Sequence, residues 1–427
     1  MTAPERELDL VLFGATGFVG RLTAHHLAEH APTGVRIGLA ARSRPRLEAL
    51  AAELGDSAAA WPLLVVDAAD EAAVAGLAAR TRVVATTVGP YARYGVPLVA
   101  ACAAAGTHYC DLTGEVLFVH RSIAENHETA RRAGARIVHA CGFDSVPSDL
   151  GVLLTAEAAR SDGAEPGRTR LAVRSLRGGF SGGTIDSTRA QADALRADPG
   201  ARRVVGDPSA LVDGPRPPRR PSSHPRRAGL PGVLDRVVRA SPVRRDPDND
   251  HFTGPFVMAA FNTRVVYRSA SLLDYGPDFR YVEYTDFGAG PVGAVTAGVV
   301  SAGLLAGLAG MAFAPTRAVL DRVLPAPGEG PSAETMASGR FRMEITSDAT
   351  NGARYRTAVA APYDPGYSGT AVMFGQAALA LVEDGDRLPE SPGGVLTPAT
   401  AIGHPLVDRL REHAFTLETQ WLPGPTG

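Results

Sequence analysis

The chain has 427 residues, 45% of them hydrophobic and 21% charged, and is therefore long enough for two or three domains with buried cores. This composition excludes a disordered or fibrous protein. The 43 arginines are balanced by 45 aspartates and glutamates, and the net charge of −2 disfavours nucleic-acid binding, which depends on excess positive charge.

The amino terminus predicts a cytoplasmic protein, because three acidic residues precede a short apolar run, the wrong order for a secretory signal peptide. Cys102, Cys110 and Cys141 lie in apolar stretches and lack C-x-x-C spacing. We expect these cysteines to be reduced and buried, and we predict no metal site.

The first chemical signal is a glycine turn between a strand and a helix. An apolar run over residues 8–13 is followed by Gly14-Ala-Thr-Gly17-Phe-Val-Gly20 and then by a helical pattern up to His30. This order is typical of the first crossover of a Rossmann domain, where bare glycine backbone approaches a diphosphate. We therefore predict a doubly wound parallel α/β sheet whose cofactor contacts include Gly14, Thr16, Gly17, Phe18, Val19 and Gly20.

The ends of the following strands predict which dinucleotide is bound. The second strand ends in Ala41-Arg42-Ser43, where an NAD-binding domain would carry an acidic residue for the ribose hydroxyls. A guanidinium beside a hydroxyl suits a 2′-phosphate, so the sequence favours NADP, although a solvated arginine would give the same pattern. The third and fourth strands end at further expected cofactor contacts, namely Asp67, Val88, Gly89 and Pro90.

The first helix also contains His26-Leu-Ala-Glu29-His30, which matches the H-x-x-E-H pattern of one class of zinc peptidases. The glycine turn already explains this helix, its far end points away from the carboxyl edge of the sheet, and no third ligand follows at a suggestive spacing. We interpret the match as coincidental. Polar clusters at 108–115 and 142–149 follow later strands, so we expect both at the ligand-binding carboxyl edge.

The second half predicts an α+β domain in which helices cover an antiparallel sheet. We assign residues 1–148 to the Rossmann domain and 149–427 to the second domain, with the option that closing helices over 370–413 return to the first. The expected elements are strands at 169–176, 256–267, 279–287, 339–347 and 352–361, a glycine-rich turn at 178–184, and helices at 185–197, 370–382 and 398–413.

Two segments of the second half have unusual compositions. Residues 214–231 carry five arginines and no acid among many prolines, which predicts a loop, a lid or a disordered tether, or a contact with a phosphopantetheine arm, a carrier protein or anionic lipid. Residues 287–316 contain no charge at all. This apolar segment is consistent with a helix buried between layers or lining a substrate channel, with a membrane-associated helix, or with a true membrane span.

Five motifs in register resemble the saccharopine dehydrogenase-like oxidoreductases, and among them the bacterial trans-acting enoyl reductases. The motifs are GATGFVG, AAR, VGPY, YCDLTGE and GFDSVPSD, joined by Gly182-Gly-Thr184 and by Gly394-Val-Leu-Thr-Pro-Ala399. The resemblance implies an NADPH-dependent reductase of a lipid- or polyketide-type acyl thioester, held in some cases on an acyl carrier protein and often near membranes. We find no set of cationic residues for the dicarboxylate of a true saccharopine dehydrogenase.

Enoyl reduction needs a hydrogen-bond donor for the developing enolate oxygen and an acid for the α-carbon. Our candidates are Tyr91 after the fourth strand, and Asp144 and Ser145 after the last strand. Each also has a structural interpretation: Tyr91 would pack on the cofactor without chemistry, and Ser145 would cap a helix. Asp111 and Glu115 would equally serve as carboxylates that fix a loop.

Two alternatives to enoyl reduction remain open. The chain is also consistent with a catalytically silent nucleotide-binding protein attached to lipid, or with a saccharopine-type amino-acid dehydrogenase. The expected partners are a small acyl substrate, a second copy in a homodimer, and the inner face of the plasma membrane as a peripheral contact.

Overall fold

The computed structural model describes residues 6–178, 193, 195–213, 242–246, 248–312 and 330–422. The predicted Pro/Arg-rich loop at 214–231 lies outside these residues, as do residues 179–184 of the glycine-rich turn and most of the helix expected at 185–197.

The first sheet has seven strands, all parallel, in the order β13-β6-β5-β4-β1-β2-β3. β1 is buried along its whole length, as expected for an apolar strand covered on both faces. Its neighbours are β2 on one side and β4 on the other, which confirms the predicted Rossmann arrangement. The strands are β1 (Leu8–Phe13), β2 (Ile37–Ala41), β3 (Leu63–Val65), β4 (Thr81–Thr86), β5 (His108–Asp111), β6 (Arg136–Val138) and β13 (Gly394–Leu396).

Five helices connect the first six strands. The carboxyl edge of the sheet therefore carries the loops after β1, β2, β3, β4, β5 and β6, where ligands bind in this architecture. α4 begins at Tyr91, directly after the loop that follows β4. The helices are α1 (Phe18–His30), α2 (Arg44–Leu54), α3 (Glu71–Arg80), α4 (Tyr91–Ala105) and α5 (Val116–Ala133), with a short 3-10 turn at Gly55–Ala58.

The second sheet also has seven strands, in the order β14-β12-β11-β7-β10-β9-β8. The predicted α+β domain is confirmed, although its sheet is mixed and not antiparallel throughout, because β7 and β10 pair in parallel. A parallel pair needs a long crossover, and residues 178–279 supply it. The strands are β7 (Pro166–Arg177), β8 (Arg244–Arg245), β9 (Phe252–Gly254), β10 (Arg280–Asp286), β11 (Arg340–Ala349), β12 (Arg354–Ala361) and β14 (Thr416–Leu422).

The strand predicted at 256–267 is wrong, since most of this segment is a helix. Phe261, Val265 and Ser269 are buried at intervals of four residues, which is the period of a helix face and not of a strand. The helices of the second half are α6 (Val146–Ser161), α7 (Pro199–Gly206), α8 (Ala259–Leu272), α9 (Gly290–Ala312), α10 (Ala333–Ala337), α11 (Ser368–Glu383), α12 (Pro398–Ala401) and α13 (His404–Glu412), with a 3-10 turn at Gly385–Arg387.

The closing part of the chain returns to the first sheet. Residues 369–382 of α11 are all buried, and the helix packs against α1 and beneath β4. β13 then extends the parallel sheet next to β6, with Val395 opposite Ile137. The two ends of the sequence therefore contribute to one core. The domain boundary at residue 148 stays a prediction.

Over residues 290–307, most of the surface of α9 is exposed and apolar. Within residues 290–307 of this helix, the buried residues are the small Gly293, Ala297 and Ser301, where the helix packs near β9, whereas Val292 and Val299 are 79% and 68% exposed. A helix buried between layers is therefore not what the fold contains at this position. By length and composition alone, Gly290–Gly307 is sufficient to cross a membrane.

Candidate functional site

The glycine turn after β1 has no room for side chains. Gly14 has φ +88°, and a Cβ on it would lie 2.6 Å from the Thr87 hydroxyl oxygen. That hydroxyl donates to the Gly14 carbonyl at 3.1 Å and ties the loops after β1 and β4 together. Gly17 is the N-cap of α1 and supplies no capping side chain, so the first N–H groups of the helix remain available for a diphosphate.

A cleft of about 320 Å³ opens above this turn. The predicted residues that line it come from the ends of four strands, and bare backbone, backbone donors and cations are the groups that a phosphorylated dinucleotide requires. The predicted residues in the lining are Gly14, Thr16, Gly17, Arg42, Asp67, Val88 and Gly89. The lining residues that the sequence analysis missed are Phe13, Ala41, Arg46, Ala68, Thr87 and Tyr94.

Arg42 and Arg46 place two guanidinium groups at the β2 end of the cleft. Arg44, which lies between them in the sequence, is directed elsewhere and pairs with Glu48 at 3.8 Å. Arg46 lies in the first turn of α2, four residues after Arg42 in the sequence.

The other predicted cofactor residues lie beside the cleft and not in its lining. Phe18 packs edge-on against Tyr367 with ring centroids 5.0 Å apart. Gly20 permits α1 to approach the turn, since a Cβ there would lie 2.2 Å from the Gly14 carbonyl oxygen. The remaining three support helix starts: Val19 in the first turn of α1, Ser43 at the N-cap of α2 and Pro90 at the N-cap of α4.

Tyr91 is buried under the cleft with its hydroxyl occupied. The hydroxyl donates to the Thr86 carbonyl at 3.3 Å and accepts the N–H of Leu112 at 3.2 Å, while the ring stacks on Phe118. Burial raises the pKa of Tyr91 well above its usual value, and the nearby Asp111 raises it further. This environment favours a structural role over proton donation.

Asp111 and Glu115 hold the surrounding loops. The Glu115 carboxylate accepts the N–H groups of Tyr91 and Ala92 at 2.9 and 2.8 Å, which caps α4. Asp111 accepts from the Tyr109 hydroxyl at 2.9 Å and lies 2.7 Å from His139 Nδ1. Both carboxylates thus have the geometry of the loop-fixing alternative.

Asp144, at the same edge of the sheet, is a carboxyl whose pKa is strongly raised. It is half-buried on the turn before α6, and its Oδ1 lies 3.8 Å from the position that a Cβ on Gly114 would take. Burial raises the pKa of Asp144 to about 7, with the neighbouring Asp111 carboxylate adding to the shift. A carboxyl in this state is about half protonated at pH 7 and can donate its proton there.

Ser145 occupies the N-cap position of α6 without capping it. Its hydroxyl donates instead to Asn262 Oδ1 at 3.2 Å. The Asn262 amide nitrogen donates in turn to Ser148 and to Glu283 Oε2 at 3.2 and 3.1 Å. Burial raises the pKa of Glu283 to about 7. No local sequence pattern predicts this network, because its members come from distant parts of the chain.

The histidines of the H-x-x-E-H match lie at the opposite end of α1. The His26 ring contacts those of His30 and His413, with centroids 4.6 and 5.0 Å away, and the Gln376 amide nitrogen lies 2.9 Å from His26 Nε2. Within the part of the chain that the structure describes, no group of three or more His, Cys, Asp or Glu is arranged to hold a metal ion.

Comparison with known proteins identifies the family. Residues 10–138 match the saccharopine dehydrogenase NADP binding domain. A trans-acting enoyl reductase of Mycobacterium bovis is 44% identical over 96% of this chain and 97% of its own. A Mycobacterium tuberculosis relative named for the same activity is 47% identical over 98% of this chain and 99% of its own. The chain belongs to the trans-acting enoyl reductase family.

As a member of the trans-acting enoyl reductase family with an NADP-binding domain, the protein is an NADP-dependent oxidoreductase, and the cleft above the glycine turn fits that cofactor. Its fold is similar to that of apo saccharopine dehydrogenase (L-Glu forming) from Saccharomyces cerevisiae. The TM-score is 0.54 at 15% identity, over 97% of this chain and 100% of the yeast chain. At this identity the similarity concerns the fold of the reductase and not its substrate.

Proposed function

We propose that the protein uses NADPH to reduce the double bond of an α,β-unsaturated acyl thioester. The observation that carries the proposal is the cleft in which the bare glycine turn faces Arg42 and Arg46 across the carboxyl edge of a parallel sheet. The names of the full-length relatives favour an enoyl substrate over other oxidised groups.

The cofactor would lie along the cleft with its diphosphate on the N-terminus of α1 and its 2′-phosphate between Arg42 and Arg46. When bound there, NADPH supplies a hydride. The residues of this chain hold and orient the cofactor, and Thr87 fixes the two loops between which it would lie.

We assign the proton that the substrate α-carbon receives to Asp144. Hydride addition at the β-carbon leaves negative charge on the thioester oxygen, and the reaction is completed when an acid protonates the α-carbon. Asp144 lies on the loop after β6, and its raised pKa of about 7 leaves about half of these carboxyls protonated at pH 7. Ser145 would position this turn through Asn262, and Tyr91 would support the floor of the site.

The experiment that tests the function follows NADPH oxidation in the presence of 2-enoyl thioesters of increasing chain length. The proposal expects turnover that rises with chain length and is absent with the saturated thioesters. Tight NADPH binding without turnover of any enoyl or carbonyl compound would instead favour a silent nucleotide-binding protein. Glutamate-dependent oxidation would favour an amino-acid dehydrogenase.

We further propose that the substrate is a lipid- or polyketide-type chain and that α9 contacts the inner face of the plasma membrane. α9 carries no charge, and Val292, Val295 and Val299 expose most of their surface to solvent. A bilayer surface would cover these side chains, and the exposed Arg244 and Arg245 on β8, two strands from β10, would attract anionic head groups.

Co-sedimentation with vesicles of phosphatidylcholine and phosphatidylglycerol tests this contact. We expect the protein to sediment with the vesicles, and the double variant Val295→Asp/Val299→Asp to remain in solution. Leu272→Asp, which changes an exposed leucine at the end of α8, is the matched control and should still sediment. Wild-type protein that stays in the supernatant would contradict the proposal.

A further inference from the structure

Two neighbouring loops at the carboxyl edge of the first sheet leave bare backbone beside Asp144. Gly114 lies in the loop after β5, and Asp144 lies in the turn after β6. These two residues and Met258, which precedes α8, are all half-buried and so reach the surface of the protein. A Cβ on Gly114 would lie 3.8 Å from Asp144 Oδ1 and 3.9 Å from the methyl carbon of Met258. The three residues border a small space that we call the Gly114 gap.

The fold does not require a glycine at position 114. Glycine is needed where φ is positive or where a side chain would collide, as at Gly142, whose Cβ would lie 2.7 Å from Leu112. The φ of Gly114 is not positive, and its Cβ would meet the Asp144 and Met258 atoms at ordinary van der Waals distance. Apart from the chain neighbours of Gly114, no other atom of the described residues would lie within 4 Å of that Cβ. The gap therefore has room for part of a ligand.

Apolar side chains flank the Gly114 gap. Leu112, Phe143 and Val257 lie one or two residues from its members, are half-buried, and pack against the hydrophobic core with the rest of their surface. Among the described residues, the Asp144 carboxyl has no hydrogen-bond partner outside its own backbone. Apolar walls with one unpartnered acid are typical of a site that binds an apolar substrate and acts on it with that acid.

Tyr91 contacts both the cofactor cleft and the loop that carries Gly114. Gly89 lines the cleft, and a Cβ on it would lie 3.7 Å from Cε2 of Tyr91. The hydroxyl of the same ring accepts the N–H of Leu112, two residues before Gly114. The Gly114 gap thus belongs to a loop that packs on the same side chain as the lining of the cleft.

The cleft itself covers the part of the edge expected to hold the adenosine of the dinucleotide. Its lining includes Arg42, Asp67 and Ala68, which follow β2 and β3. A Rossmann sheet has two mononucleotide-binding halves, and the dinucleotide crosses between them where the strand order reverses, here between β1 and β4. We expect the nicotinamide half over the loops after β4, β5 and β6, and Gly114 and Asp144 lie on two of these loops.

We propose that the enoyl group of the substrate binds against Gly114, between the Asp144 carboxyl and the Met258 methyl group. This subsite rests on the proposed enoyl reduction. The missing Cβ leaves room for the α- and β-carbons of the thioester beside the acid. Met258 contacts the first methylene groups of the acyl chain and forms an adaptable apolar wall. Gly114 and Met258 are thus specificity-determining residues of the reductase.

Gly114→Ala fills the gap with one methyl group and tests the subsite directly. Because the new Cβ meets its neighbours at 3.8 Å or more, we expect Tm and the calorimetric Kd for NADPH to stay near those of the wild type. Displacement of reacting carbons by about 1 Å costs roughly 100-fold, so kcat/KM for a 2-enoyl thioester should fall by about that factor. Gly76→Ala, at an exposed glycine of α3, is the matched control and should leave kcat/KM unchanged.

The contact of Met258 with the acyl chain is tested by a change in KM. Met258→Ala removes apolar surface from the wall and should raise the KM for the thioester by about 10-fold, with little change in kcat. Met258→Leu keeps most of the apolar volume and should bring KM back towards the wild-type value. Leu272→Ala, at the exposed far end of α8, is the control and should leave KM unchanged.

A Gly114→Ala variant that is folded, binds NADPH and keeps kcat/KM within about threefold of the wild type would overturn the subsite. If this variant loses stability or NADPH affinity, the Met258 variants decide, and a KM for Met258→Ala equal to that of the wild type would overturn it. Wild-type protein without enoyl turnover would refute the proposed function itself. Wild-type turnover that is insensitive to both positions would refute the subsite alone.

Discussion

The Glu115 carboxylate accepts the backbone N–H of Tyr91 at 2.9 Å, so a residue after β5 fixes the start of the helix that follows β4. Its second oxygen accepts the N–H of Ala92 at 2.8 Å. Two loops of the candidate site are therefore joined by one buried side chain, and both the stability of the fold and the shape of the cleft depend on it.

Glu115→Ala should destabilise the protein by about 1 to 3 kcal/mol, because it leaves two N–H groups at a buried helix start without an acceptor. Urea unfolding measures this change in the free energy of unfolding. Glu71→Ala in the first turn of α3 removes an exposed carboxylate from a helix that Asp70 already caps, and should change stability by no more than about 0.5 kcal/mol. Equal effects of the two substitutions would contradict the role of Glu115.

Arg42→Asp should weaken NADPH binding by about 100-fold and leave NADH binding nearly unchanged, since it replaces the guanidinium expected at the 2′-phosphate by a like charge. Isothermal titration with both nucleotides measures the two affinities. The matched control is Arg44→Asp, because Arg44 lies between Arg42 and Arg46 in the chain but is directed away from the cleft. Similar losses for NADPH and NADH would remove the assignment of the phosphate site.

The catalytic role of Asp144 predicts a pH profile. Because the proposed acid must be protonated and its pKa is raised to about 7, kcat should fall as the pH rises through that value. Asp144→Asn should lower kcat by about 100-fold or more and abolish this limb of the profile. Asp149→Asn removes a buried carboxyl that binds Ser269 and the N–H of Ala399, and any loss it causes should follow stability and not this pH dependence.

The same carboxyl makes a prediction for stability. The pKa of Asp144 is raised from 3.8 to about 7 in the folded protein, so the folded protein retains a proton that the unfolded chain releases. Stability therefore declines as the pH rises from 3.8 to about 7. At pH 8, Asp144→Asn should therefore be more stable than the wild type by about 1 to 2 kcal/mol. Unfolding at pH 8 and at pH 4 measures the difference, which should vanish at the lower pH.

The histidine cluster at the far end of α1 predicts acid sensitivity. Burial, together with His30 and His413, lowers the pKa of His26 from 6.5 to about 3. The unfolded chain takes up a proton that the folded protein refuses, so stability is lost as the pH falls below 6.5, by about 2 kcal/mol at pH 5. His26→Gln should flatten this dependence, whereas His404→Gln, at an exposed histidine, should not.

The glycine turn, the end of β2 and the closing helices could be predicted because each depends on a local pattern. Gly14, Gly17 and Arg42 follow their strands closely. The apolar run of β1 is typical of a strand that is covered on both faces of a parallel sheet. The position of β1 between β2 and β4, where Leu10 lies opposite Ile37 and Val83, agrees with this interpretation.

Other features could not be predicted because they depend on contacts between distant segments. β13 has only three residues, and nothing in its sequence indicates that Val395 will lie beside Ile137. The parallel pairing of β7 with β10 leaves no trace in strand periodicity, which records the buried face and not the neighbour. Likewise, nothing near Tyr91 in the sequence indicates that its hydroxyl will accept the N–H of Leu112.

The central claim, hydride transfer to an enoyl thioester, is tested most directly by supplying NADPH deuterated at the reactive nicotinamide carbon and locating the label in the product. We predict one deuterium at the β-carbon of a saturated thioester, with the α-carbon hydrogen derived from water. Deuterium at the carbonyl carbon, or no labelled product from any enoyl thioester, would contradict the account.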